Sequence, residues 1–153
     1  MFDFIKGEVL LIDKPIGWTS FDVVNKIRYA CKAPKVGHAG TLDPLATGLL
    51  IICTGKKTKE INTFQDLDKE YIATLVLGAT RPSVDMETEI DNTFSVEGIT
   101  EEKIARTVQK FLGKIMQTPP AYSAIKVDGE RAYKLARKGI NPKMRESFHK
   151  YEF

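Results

Sequence analysis

The 153 residues are 42% hydrophobic and 28% charged, an ordinary globular composition with enough chain for one respectable core. The longest apolar run, Leu49 to Cys53, is far too short to span a bilayer, and MFDFIKGEVLL lacks the h-region and cleavage site of a signal peptide, so a cytoplasmic protein with no membrane partner is expected. Cys31 and Cys53 fit a reduced pair better than a disulfide, no metal-ligand cluster is visible, and a net charge of +3 is too weak to prove a nucleic-acid partner.

Residues 7–13 read as a strand, followed by a turn over 13–18 punctuated by Pro15 and Gly17. Ser20 is the expected N-cap of a helix with Asp22 in its first turn and Val23, Val24, Ile27 and Ala30 on one face. Trp18 reads as a core or rim aromatic before a base-stacking platform. From Lys35 to Lys59 the chain reads as a short strand, a tight polar loop over 37–44, and a buried strand through Leu49 to Cys53. Gly37 and Gly40 permit positive φ or close backbone approach, while Pro44 fixes its own φ and pushes Asp43 towards an extended conformation. Asp43 thus sits in a stiff frame, and on the residues alone an Asx turn is its plain reading. Residues 54–58 only hint at a phosphate-binding P-loop. Gly48 lies too far from Gly55 and Lys57 intervenes before Thr58, which excludes that motif.

Residues 69–77 alternate as a strand, with Tyr71, Ala73, Leu75 and Leu77 on one face and Ile72, Thr74 and Val76 on the other. Both faces are apolar, which predicts a central strand with Tyr71 at its end. Residues 78–93 form a polar loop. Thr100 is the expected cap of a second helix, Ile99 and Ile104 have staple spacing, and Ile104, Val108, Phe111 and Leu112 make its apolar face up to Gly113. An Asp128-Gly129 turn precedes a short helix over 130–138, with Arg131, Lys134 and Lys138 on one face, ending at Gly139. Residues 141–153 show no clear periodicity. The acidic groups gather in 81–102, and the basic ones at Lys56, Lys57 and Lys59 and between Lys126 and Arg145. That separation suits either one RNA-facing side or two solvated faces.

The run GHAGTLDPLATGLL, residues 37–50, resembles the catalytic motif of the TruB family of pseudouridine synthases, which act on the tRNA TΨC arm at uridine 55. The likeness extends from Gly7 to about Gly139. Lys14 to Ser20 is similar to the family's Lys-Pro-x-Gly-x-Thr-Ser, Tyr71 to its Lys-x-Tyr, and residues 117–126 to a further signature. Two departures occur in the 78–93 loop: Arg81-Pro82 stands where many members have Thr-Asp, and Thr88 where many have Gly.

The resemblance implies an α+β fold, a pseudouridine synthase catalytic domain with a mixed central β-sheet and flanking helices, truncated at its C-terminal side. Residues 1–153 would be its N-terminal part, with 119–147 a thumb-like RNA-binding insertion. The family's second half-domain, with an Arg that pairs with the catalytic Asp, and its C-terminal RNA-binding domain would be absent. The chain is then expected to be inactive by itself, and its exposed edge to favour self-association. The resemblance makes Asp43 catalytic and His38, Tyr71, Asp85 and Lys14 substrate-binding, with the segment that begins at Lys14 packed beside the catalytic loop. It makes Lys126, Arg131, Lys134, Arg137 and Lys138 contacts to RNA. No cofactor, no metal and no obligate protein partner are implied; the partner is tRNA. Two other readings stand beside this one: an RNA-binding remnant without turnover, and a relative acting on guide-RNA-selected uridines in ribosomal RNA.

Overall fold

The computed structural model of the chain describes residues 2–152; Met1 and Phe153, at the ends of the expected 1–153 domain, lie outside the described residues. The chain divides between Ala73 and Thr74 into two compact units. The first holds β1 (Val9–Lys14), α1 (Ser20–Cys31), β2 (Val36–Ala39), β3 (Gly48–Thr54), a 3-10 turn (Gly55–Glu60) and α2 (Ile61–Gln65). β3 is the middle strand in the order β1-β3-β2. Both ladders are antiparallel, with Val9 opposite Cys53, Lys14 opposite Gly48, and His38 opposite Ile52.

The core follows from the period of β3. Leu50 and Ile52 project to one face and meet Val23 and Val24 of α1, with Leu10, Ile12, Ile27, Val36 and Leu42 packed around them. Each fully buried Val, Leu or Ile contributes roughly 1.5–3 kcal/mol. Ala30, expected on the same helical face, is exposed. The N-cap of α1 is Thr19, not Ser20. Thr19 and Asp22 form a reciprocal capping box, in which the Thr19 side chain accepts the Asp22 N–H and the Asp22 carboxylate accepts the Thr19 N–H.

The second unit holds β4 (Ala79–Thr80), β5 (Asn92–Thr93), α3 (Glu101–Val108), a 3-10 turn (Gln109–Phe111), β6 (Gly113–Gln117), β7 (Lys126–Val127), β8 (Glu130–Arg131), α4 (Ala132–Arg137) and β9 (Ser147–Tyr151). Its ladders pair β4 with β5, β6 with β9 and β7 with β8, all antiparallel. Thr100 caps α3 as expected, its hydroxyl accepting the Lys103 N–H. Asp128 and Gly129, both at positive φ, turn the β7–β8 hairpin.

The α+β class holds. In place of one mixed sheet, the described strands form four small sheets whose ladders are antiparallel. The strand expected over 69–77 is absent. Those residues are irregular and mostly exposed, with Ile72 98% accessible, because no neighbouring strand among the described residues offers them a ladder. Ile104, Phe111 and Leu112 of the expected apolar face are likewise exposed, and only Val108 is half-buried. Strand β9 lies in the tail that shows no periodicity.

Candidate active site

The loop between β2 and β3 presents Asp43 at the end of the first sheet. Its expected start is shifted, since Gly37, His38 and Ala39 belong to strand β2. Gly37 serves through close approach: a Cβ there would lie 2.7 Å from Ile61 Cδ1. Gly40, where the chain leaves the strand, has φ +102°, a conformation that side-chain-bearing residues avoid.

Three anchors hold the loop. Leu42 is half-buried against the Val23–Ile52 core. Ser20 Oγ accepts the Leu42 N–H at 3.0 Å and donates to the Leu42 carbonyl at 3.2 Å. Lys14 is the third. Its side chain is wholly buried, 0% exposed, and its Nζ donates to the carbonyls of Trp18 at 2.6 Å, Pro15 at 3.1 Å and Pro44 at 3.4 Å. Gly17 N adds a fourth tie, to Pro44 O at 2.7 Å. The Lys14–Ser20 segment thus lies directly against the loop.

Asp43 is framed on both sides by residues whose backbones are bonded, yet it is itself exposed. Its carboxylate makes no hydrogen bond or ion pair with the described residues; its carbonyl accepts the Ala46 N–H at 3.0 Å. The Asx turn is therefore not formed, and the carboxylate is left facing outward. His38 is half-buried on β2 with Nδ1 donating to the Gly40 carbonyl, which fixes the ring and leaves Nε2 uncommitted. The structure brings Lys14 and the Asp43 loop together at the Gly48 end of the sheet, whereas His38 stands opposite Ile52, four positions further along β3.

Lys14, expected to bind substrate, has no exposure here and gives its amine to three carbonyls, supporting the loop from beneath. Tyr71 is 69% exposed on irregular chain and has no hydrogen bond among the described residues. Asp85 belongs to the second unit, exposed, its carboxylate accepting the Glu87 N–H at 2.8 Å. In that same loop, the residues that depart from the family pattern partner each other. The Arg81 guanidinium donates to the Thr88 carbonyl, and the Thr88 hydroxyl lies 2.8 Å from that of buried Ser83.

The basic helix is shorter than expected. α4 spans six residues, so Arg131 and Lys138 flank it instead of lying along it. Arg131 donates to the Ala124 carbonyl, Arg137 pairs with Glu87, and Lys138 pairs with Glu130 at 2.7 Å. Lys126 and Lys134 alone of the five have no such partner among the described residues. Among the described residues no cluster of His, Cys, Asp or Glu could hold a metal, and no helix is long and apolar enough to cross a membrane. Sequence reasoning missed Ser20 as a loop anchor. The signal available was a second hydroxyl, Thr19, beside it.

A family model described as TruB family pseudouridylate synthase, N-terminal domain, matches residues 28–150. The chain belongs to the TruB family. A TruB relative from Phocaeicola vulgatus named tRNA pseudouridine synthase B is 62% identical over 143 residues, which are 90% of this chain and 61% of the relative. The chain thus spans about three fifths of that relative's length. Among solved structures, one of a Cbf5-Nop10-Gar1 complex matches with a TM-score of 0.55 and 25% identity, over 94% of this chain and 33% of that one. A second, of an H/ACA RNP bound to a substrate RNA containing 2'-deoxyuridine, matches with a TM-score of 0.50 and 25% identity, over 74% of this chain and 30% of that one. The pseudouridine synthase class and the α+β fold read from the TruB motif agree with these likenesses.

Proposed function

We propose that this chain is part of a tRNA pseudouridine synthase that converts uridine 55 of the TΨC arm, working in the cytoplasm on tRNA as its partner. The observation that supports this best is the presentation of Asp43: an exposed carboxylate on a loop anchored by Lys14 and Ser20, inside a TruB motif. The reaction breaks a C–N glycosidic bond, turns the uracil and joins C5 to the sugar. It needs no redox cofactor. A base inside an RNA fold must first be extruded. Asp43 then acts on the sugar, either as nucleophile at the anomeric carbon or by taking a sugar proton. His38, fixed by Gly40, would fill the space that the flipped base leaves. Tyr71 would stack on the uracil and Asp85 would line the site. Residues 119–147 would form an RNA-gripping thumb, with Lys126 and Lys134 free to take phosphates and Arg131, Arg137 and Lys138 exchanging protein partners for them.

The test uses the full-length protein and C5-tritiated tRNA. Wild type should release tritium, and Asp43→Asn should bind tRNA equally well while losing turnover; activity within tenfold of wild type would defeat the assignment. The likeness to the Cbf5 complex favours a second reading, a synthase directed by guide RNA. Turnover of bare tRNA without any guide would sink it.

A further inference from the structure

We infer that three lysine-bearing segments, at the end of the first sheet remote from Asp43, form a second contact surface for the RNA phosphate backbone; this rests on the RNA-modifying reading above. β3 starts beside the Asp43 loop and ends at Thr54. Seven strand residues at about 3.3 Å each put those ends roughly 20 Å apart. At the far end three segments are stitched together. Lys56 N donates to Lys6 O at 3.0 Å, Gly55 N to Lys35 O at 2.9 Å, and Glu8 N to the buried Thr54 Oγ1 at 2.9 Å. The approach is so close that a Cβ on Gly55 would lie 2.3 Å from the Ile5 carbonyl oxygen.

This convergence gathers Lys6, Lys32, Lys35, Lys56, Lys57 and Lys59 on neighbouring segments. The carboxylates there are already engaged. Asp3 takes the Lys6 and Ile5 amides and pairs with the Lys6 side chain at 3.6 Å. Glu8 accepts the Asp3 N–H at 2.8 Å, and Glu60 takes Lys57 at 2.8 and 2.9 Å. Lys32, Lys35, Lys56 and Lys59 remain, all exposed and none with a carboxylate partner among the described residues. In the second unit, by contrast, Arg137 and Lys138 are each ion-paired. Four uncompensated like charges on adjoining segments repel one another, and a polyanion with spaced charges relieves that. Lysines on flexible stems suit phosphates without reading bases. The surface would therefore act on RNA already held at Asp43, lengthening the footprint along the sheet.

The test measures binding of a fluorescently labelled, unmodified tRNA transcript to the full-length protein across a salt series, with turnover in parallel. Each lost phosphate contact lowers the slope of log affinity against log salt by about 0.7–0.9, so replacing all four lysines by Ala should lower it by roughly 3. The effect should appear in KM, with kcat at saturating tRNA changed less than twofold. Replacing the same four by Arg should keep the wild-type slope, and Lys56→Glu by itself should weaken binding in low salt more than tenfold. An unchanged slope in the Ala variant, with wild type binding and modifying tRNA, would overturn this surface alone and leave it to an acidic protein. A wild type that neither binds nor modifies tRNA would overturn the RNA-modifying reading, and this surface with it.

Discussion

The hydroxyl of Ser20 closes both polar backbone groups of Leu42, accepting from its N–H at 3.0 Å and donating to its carbonyl at 3.2 Å. Leu42 is the residue before Asp43, so a buried helix residue, 3% exposed, sets the direction in which the loop leaves the core. Ser20→Ala removes both bonds without creating a clash. Leaving a half-buried donor and acceptor unmet costs about 1–3 kcal/mol. A displacement of about 1 Å at a reacting group can lower the rate by about 100-fold. The variant should therefore melt lower and lose kcat by one to two orders of magnitude with KM for tRNA unchanged; thermal denaturation and steady-state kinetics read the two effects separately.

Lys14→Met keeps most of the stem and removes the amine. The carbonyls of Pro15, Trp18 and Pro44 then lose their common donor. A loss of about 1–3 kcal/mol is expected by urea denaturation, since three carbonyls in part-buried bonds lose their shared donor while Pro44 O keeps its bond from Gly17 N. Direct loss of tRNA affinity with unaltered stability would show instead that Lys14 reaches the RNA.

Gly55 has φ +50° and backbone atoms of Ile5 and Gly7 within 3 Å of where a Cβ would stand. Gly55→Ala meets both a left-handed backbone penalty and a clash with main chain that cannot rotate away. Together these should destabilise the first unit by about 2–4 kcal/mol. Hydrogen exchange of the β1 and β3 amides should accelerate in step; wild-type protection would refute the close approach.

The Asp22 carboxyl is held below its usual value by hydrogen bonds from the Thr19 hydroxyl and then the Thr19 amide. A lowered value in the folded state means that the capping box contributes fully above the ordinary aspartate value of 3.8 and fades as pH falls through the folded value. Asp22→Ala should thus cost stability at pH 7, and the difference should shrink in acid. A carboxyl NMR titration of Asp22 with its midpoint below 3.8 would confirm the direction.

The elements legible in the sequence are those whose signals are local. β1, α1, β3, the Thr100 cap and the Asp128-Gly129 turn follow from short-range propensity and periodicity. What was illegible depends on partners far along the chain. The 69–77 stretch has every residue a strand prefers, but pairing supplies the hydrogen bonds, and no described strand lies beside it. β9 is the opposite case: all five of its residues are exposed, so no burial pattern marks it, and only its ladder to β6 makes it a strand. At α1 two adjacent hydroxyls could each cap, and sequence cannot rank them. The structure gives the cap to Thr19 and the loop to Ser20. The row of Arg131, Lys134 and Lys138 reads as free because helical periodicity does not show that Arg131 bonds the Ala124 carbonyl or that Lys138 pairs with Glu130 across a six-residue helix. The packing of the Lys14 segment beside the Asp43 loop was implied by the motif; the two bonds from Ser20 to Leu42 were not.

The Lys14 amine addresses main-chain oxygens, of Pro15, Trp18 and Pro44, and no side chain. Every amino acid carries that oxygen. The anchor beneath the loop is consequently blind to which side chains its neighbours display, and Ile16, Trp18 and Leu45 can be exchanged without loosening it. Side chains on the outward face of the loop can therefore change while the lysine beneath it keeps its three bonds.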